Sequence, residues 1–291
     1  MNIVEIYRQF PTEESCIVHL EKVRWQGRPS CPYCKSENQT ALPSEHRYHC
    51  NKCNTSYSVT VGTIFHKTHL DLQKWFLAIS LVLNAKKGIS ARQLGRDIEV
   101  NKNTAWYMGM RIRRAMIEHG DLLRGIVEMD ETYIGGKPRK GDPPRKPGRG
   151  TPKTPVVGMA ERGGRIKTVV AGKKKGALSQ KRLSAIVREH VDVRQAVLMT
   201  DEFSGYGGVS RFMEHHSVDH KKSYADGAVH TNTMESFWAL LKRGIVGQYH
   251  KVSIRHLPKY IAEFCYRQNN RDSVDIFGLT LSNAVGGFNG Q

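Results

Sequence analysis

The chain has 291 residues, with 45 Lys and Arg against 27 Asp and Glu, a formal net charge of +18 and 39% hydrophobic residues. That length predicts about two domains with real cores, and the charge points to a polyanionic partner held through phosphate contacts. No apolar run approaches the roughly 20 residues that span a bilayer, and neither a signal-peptide core nor a lipidation signal is present, so a cytoplasmic, nucleoid-associated protein is expected.

In chain order, Phe10 to Trp25 reads as a short helix packed on the module that follows. There, Cys31-Pro-Tyr-Cys34 and Cys50-Asn-Lys-Cys53 are two CxxC pairs separated by fifteen residues, the spacing of a four-thiolate zinc site. Each pair makes a knuckle that presents two sulfurs, and in a reducing compartment thiolates bind metal rather than pair oxidatively. So small a ribbon depends on its ion, and four protein ligands leave no open position, so this zinc is structural. Arg47, His49 and Lys52 are placed to touch DNA, although the ribbon serves equally as a protein-docking platform. Cys16 and Cys265 stand apart and read as core residues.

From Leu70 to Ala85, Leu72, Trp75, Phe76, Ile79 and Leu83 recur at helical spacing. Lys87-Gly88 ends that helix, Ser90 caps a second through Asp97, and Asn101 caps a third that runs toward Glu118. Short helix, tight turn and longer helix is the order of a helix-turn-helix, whose last helix enters the major groove; a plain helical bundle gives the same pattern. On the third helix Lys102, Asn103 and Tyr107 are candidates for base or phosphate contact, and Arg111, Arg113 and Arg114 for backbone phosphates.

After a joint at Asp121–Gly125, Val127-Glu-Met-Asp130-Glu-Thr-Tyr-Ile-Gly-Gly136 is an apolar run interrupted by a carboxylate and closed by glycines. It predicts a strand that delivers Asp130 to the rim of a sheet. The stretch Lys137 to Lys153 is a Pro, Gly, Lys and Arg-rich loop, and its Lys137, Arg139 and Lys140 are candidates for gripping DNA beside Asp130. Val156–Glu161 and Ile166–Ala171 read as a hairpin; a helix from Ser179 to His190 crosses over, and Val197 to Thr200 returns a strand carrying Asp201 beside the first. Ser217 to His220 reads as a short edge strand, and His220 to Tyr224 as a basic approach to the next helix. On that helix, with Thr231 as cap, Glu235, Trp238 and Lys242 fall on or near one face, and Lys242 and Arg243 are phosphate candidates. A final helix around Leu257 to Arg271 packs, and the chain frays from Gly286.

Taken singly, each acid is best read as a solvated surface residue. Gathered in a strongly basic chain, they point to hard cations held through oxygen ligands: magnesium first, with manganese as a substitute. Two such ions activate an attacking hydroxyl or water and stabilise the leaving oxygen of a displacement at phosphorus. Glu128, Glu131 and Glu202 are near neighbours that compete for the same role.

Asp130 in EMDETYIGG, Asp201 in MTDEFSGY, and Glu235 with Lys242 in HTNTMESFWALLKRGIVGQYH resemble the catalytic segments of DDE-type transposases of bacterial insertion sequences, in the ISXO-like group that carries an amino-terminal zinc ribbon. The likeness extends to Gly62-Thr-Ile-Phe65 and the Lys87-Gly-Ile-Ser90 turn. It implies a multidomain α+β chain with a ribonuclease-H-like α/β core, Asp130, Asp201 and Glu235 holding two magnesium ions, and Lys242 contacting DNA. Some members of the group have asparagine in the third position, so Asn232, one turn before Glu235, competes with it. The expected organisation is helix and ribbon over 1–62, helix-turn-helix over 63–121 and catalytic domain over 122–291. The expected function is binding of terminal inverted repeats of double-stranded DNA, with strand cleavage and transfer, by a homo-oligomer. A zinc-dependent DNA-binding regulator with an inactive catalytic domain is the competing class.

Overall fold

The computed structural model describes residues 1–136, 151–172, 176–218 and 230–286. The chain divides into two compact units, Met1–Met116 with Asp272–Gln291, and Ile117–Arg271.

In the first unit, helices α1 (Ile3–Gln9) and α2 (Glu13–Trp25) precede a three-stranded antiparallel sheet of β1 (Gln39–Leu42), β2 (Arg47–Cys50) and β3 (Thr55–Tyr57). Both starts are closed by reciprocal capping boxes, Asn2 with Glu5 and Thr12 with Ser15. Trp25, at the end of α2, packs edge-on against Tyr48 and Tyr57 at 5.4 and 6.0 Å, and Glu21 accepts from the Tyr48 hydroxyl at 3.1 Å. The helix does pack on the ribbon.

Three helices follow: α3 (Leu72–Asn84), α4 (Ala91–Asp97) and α5 (Lys102–Ala115). Ser90 and Asn101 cap the last two through Gln93 N, and through Asn103 N and Thr104 N. Gly95 is fixed by the tight turn between them, since a Cβ there would stand 2.7 Å from the Val100 carbonyl oxygen. On α3, buried residues run all round the helix, which requires cover on every side. Part of that cover is α9 (Ile276–Val285), capped by Asp275, whose Phe277 meets Phe76 at 5.7 Å. This helix lies at the end of the span expected to form one domain with the Asp130 strand, yet it belongs to the first unit. Its sequence IFGLTLSNAV has no charged residue, and Phe277, Leu281, Ala284 and Val285 find their burial there.

The second unit is built on a five-stranded sheet in the order β6-β5-β4-β7-β8, from β4 (Leu123–Ile134), β5 (Thr154–Glu161), β6 (Ile166–Val170), β7 (Val191–Asp201) and β8 (His215–Val218). The first three strands are antiparallel, while β7 and β8 run parallel to β4. Between β6 and β7, helix α6 (Gln180–His190) buries Leu183, Ile186 and Val187 against Val127, Met129, Val157, Met159 and Leu198. Alternation turns the even-numbered residues of β4 the other way, toward α7 (Asn232–Gly244). Gly158 stands opposite Asp130 on β5, and a Cβ there would run into Met234 Cε and come within 2.5 Å of Trp238 Cζ2. Only glycine lets α7 lie so close to the sheet. Helix α8 (Leu257–Asn269) packs on β6.

Candidate active site

Strand register brings the first two carboxylates together. Strands β4 and β7 pair in parallel up to Glu128↔Met199, and two residues further along each strand lie Asp130 and Asp201. Strand β4 itself continues to Ile134 against β5, so Asp130 is at the rim only on the β7 side. Oxygens of Asp130, Glu131 and Asp201 all lie within 4.8 Å of one another. Phe203 N donates to Asp201 Oδ1 at 3.1 Å, Glu131 N to Asp130 Oδ1 at 2.8 Å, and the Tyr206 hydroxyl to Glu131 Oε2 at 2.7 Å. Burial, then the charges of Glu131, Asp201 and Glu235, push the Asp130 carboxyl up to about 7.

Glu235 comes from α7, whose buried face carries Met234, Phe237, Trp238 and Leu241. Bordering that buried face, Asn232, Glu235, Lys242 and Arg243 are exposed. Trp238, one turn from both Glu235 and Lys242, lies near their face as the spacing predicts, at its sheet-side edge, where it is 3% exposed. Thr231 occupies the N-cap position, but its hydroxyl makes no cap bond and donates to Glu235 Oε1 at 3.2 Å instead.

The donor set suits a hard divalent cation. Octahedral ligands at about 2.1 Å set oxygen–oxygen edges of about 3 Å and diagonals of about 4 Å, which the three acids approach without rearrangement of the strands. A cation would also relieve the repulsion that, after burial, raises the Asp130 carboxyl. Glu131, a near neighbour that competes for the role, belongs to the cluster, and Tyr206 holds its carboxylate. The sequence signal for Tyr206 was faint: a tyrosine five residues beyond Asp201 in DEFSGY.

In the ribbon the four cysteines also converge. Cys31 Sγ lies 3.6 Å from Cys53 Sγ, and Cys34 Sγ 3.5 Å from Cys50 Sγ, near the roughly 3.8 Å edge of a zinc tetrahedron with bonds of about 2.3 Å. Lys35 and Asn54, each one residue past a CxxC, take positive φ of 62° and 53° and close the knuckles. The backbone amide of Cys53 leads in pulling the Cys50 thiol down to about 6. Cys16 and Cys265 are buried, and burial pushes each up to about 12.

The candidate DNA contacts divide. Lys102, Asn103 and Tyr107 are exposed along the first half of α5. Arg111 is committed to the protein's own backbone: its Nη1 donates to the carbonyls of Ile64 and His66 at 2.6 and 2.8 Å, over the Tyr107 ring. That ties α5 to the backbone at Ile64 and His66. Arg113 is 3% exposed and so serves packing, while Arg114 is half-buried. Lys137, Arg139 and Lys140, with His220 to Tyr224, lie outside the described residues. Among the described residues no helix is long and apolar enough to cross a membrane.

Comparison with known proteins bears on these sites. The family model for the ISXO2-like transposase domain matches residues 122–269, just over half of the chain, and a transposase zinc-ribbon domain matches residues 11–56. A protein of the transposable element ISH50 from Halobacterium salinarum, itself uncharacterised, is 29% identical over 278 residues, covering 90% of this chain and 92% of that one. Among solved structures, the Mos1 strand transfer complex gives a TM-score of 0.29 at 11% identity, over 72% of this chain and 78% of the other. The Mos1 transposase paired-end complex gives 0.27 at 12% identity, with the same coverage.

Proposed function

For a chain that belongs to the ISXO2-like transposase family and is a DNA transposase, we propose that Asp130, Asp201 and Glu235 are the catalytic metal ligands of a ribonuclease-H-like domain. The observation that carries this reading is the β4/β7 register, which puts two acids from neighbouring strands side by side under a helix bearing a third. The strand order, three antiparallel strands and then two parallel to the first, supports the ribonuclease-H-like assignment. Asn232, on the same exposed stripe of α7, is the alternative third ligand, and Glu131 adds an oxygen held by Tyr206.

Bound magnesium or manganese supplies activation of the attacking oxygen and stabilisation of the leaving one. The protein's own part is placement. The sheet fixes two carboxylates rigidly, and α7 brings the third from above. Lys242, two turns along and roughly 10 Å down the helix axis from Glu235, holds a DNA phosphate with Arg243. Hydrolysis at the element end leaves a 3′-hydroxyl, which then attacks target DNA at the same carboxylates; no covalent enzyme intermediate is needed. The ribbon, with its structural zinc on Cys31, Cys34, Cys50 and Cys53, and the helix-turn-helix of residues 63–121 recognise the terminal inverted repeats through Lys102, Asn103 and Tyr107. Arg114 and the segment holding Lys137, Arg139 and Lys140 add phosphate contacts. Two ends must meet in one complex, so the working form is a homo-oligomer.

Labelled element ends test this reading. Magnesium should support end cleavage, and calcium should support binding without cleavage, because calcium's looser coordination misplaces the reacting oxygens. Equal cleavage with no divalent ion present would overturn it.

A further inference from the structure

Glu128 is a wholly buried carboxylate, 0% exposed, two residues before Asp130 on the face of β4 that meets α7. It reaches the first turn of that helix. Its Oε2 accepts from Thr233 N at 2.8 Å and Met234 N at 3.2 Å, and its Oε1 accepts from the Thr233 hydroxyl at 3.0 Å. Arg162, from the β5–β6 turn, donates its Nε to Oε1 at 2.8 Å and its Nη2 to the His230 carbonyl at 3.0 Å. His230 Nδ1 comes within 3.2 Å of Oε1, without the angle of a hydrogen bond.

A helix start leaves backbone amides without partners, and an anion there is favoured by those amides and by the helix dipole. Here the local cap is otherwise engaged, since Thr231 holds Glu235. The capping acceptor comes instead from a strand 105 residues away in sequence. One strand therefore carries Asp130 on one residue and, two residues earlier, the anchor for the helix that carries Glu235.

We propose that Glu128 is a positioning residue, which sets the start of α7 on β4 so that Glu235 faces Asp130 and Asp201. This rests on the reading of those three acids as the metal-holding set. Glu128 does not touch the reacting atoms; it acts through the helix. Groups that orient metal ligands typically change metal affinity or activity by about 10–100-fold when removed.

The test uses the full-length, zinc-loaded protein with Glu128→Gln, and Thr233→Ala as a milder variant that leaves the buried Glu128–Arg162 pair intact. Two readouts need no catalysis: amide hydrogen exchange at Thr233 and Met234, and affinity for manganese added alone. Exchange at both amides should quicken in either variant. Manganese affinity should fall by about 10-fold or more in Glu128→Gln and by a smaller factor in Thr233→Ala. In a Glu235→Ala background the same changes should cost nothing further, because there is no third carboxylate left to position. Unchanged manganese affinity in both folded variants overturns the proposal, and so does an equal loss with Glu235 absent, since Glu128 would then act by another route. If Glu235→Ala by itself leaves manganese affinity and end cleavage intact, the metal-site reading has failed and the proposal falls with it. If Glu235→Ala is inactive while Glu128→Gln matches the wild type, only the positioning role is lost.

Discussion

Asp130→Asn is expected to lower end cleavage and strand transfer by about 10³-fold or more while leaving binding to the element ends in place. The exchange keeps shape and volume and removes one ligand charge. It carries a second expectation of opposite sign. The Asp130 carboxyl rises from an ordinary 3.8 to about 7 in the folded protein, because burial and then Glu131, Asp201 and Glu235 oppose its ionisation. The folded chain therefore holds that proton more tightly than the unfolded one. The resulting stability is fully present below about 3.8 and is lost as pH rises through about 7. At pH 8, with zinc bound and no other divalent ion added, Asp130→Asn should thus be more stable than the wild type. A shift of this size is about 4 kcal/mol at full strength, and solvent screening at a half-buried carboxyl reduces it to about 1–3 kcal/mol. Thermal melts at pH 5 and pH 8 measure it. A variant that is inactive because it is misfolded would melt lower at both, which separates loss of a ligand from loss of structure.

Removal of the ribbon zinc has the second largest expected effect. The module has three short strands, and its aromatic cluster of Trp25, Tyr48 and Tyr57 includes a ring from β2, the strand that also carries Cys50. Binding of a structural zinc contributes on the order of 10–16 kcal/mol in small metal-folded modules, more than such a sheet supplies by itself. Chelation, or Cys50→Ser, should release one zinc per chain, abolish the near-ultraviolet dichroism of those aromatics and reduce end binding by about 10-fold or more. The β4–β8 sheet should keep its far-ultraviolet signal. Retained aromatic dichroism after zinc loss would show that the ribbon holds without metal.

Much of this site was legible because its signals are local. An apolar run ending in an acid marked both Asp130 and Asp201, and a crossover helix between two strands implied that they lie side by side. The double CxxC spacing marked the ribbon, and the Ser90 and Asn101 caps marked the starts of α4 and α5. What stayed hidden depends on partners distant in sequence. Glu128 looks like one more acid in EMDE, and only the fold brings Thr233 and Met234 to it. Arg111 on a basic helix gives no sign in sequence of its bonds to the Ile64 and His66 carbonyls. Helix α9 has no polar face to give it periodicity, and its partner Phe76 lies some two hundred residues earlier in a different unit from the strand of Asp130. Gly158 carries the same lesson, since its missing side chain matters only once α7 is laid over it.

Iron(II) bound in place of magnesium, with peroxide added, cuts a polypeptide backbone within a few ångströms of the ion, and so reports directly where the carboxylates gather. In the zinc-loaded protein, fragments should end beside Asp130, Asp201 and Glu235 together, all three sets should vanish in Asp130→Asn, and excess magnesium should protect them. Cuts confined to one of these segments, or scattered over unrelated acids and unaffected by Asp130→Asn, would contradict a shared ion site.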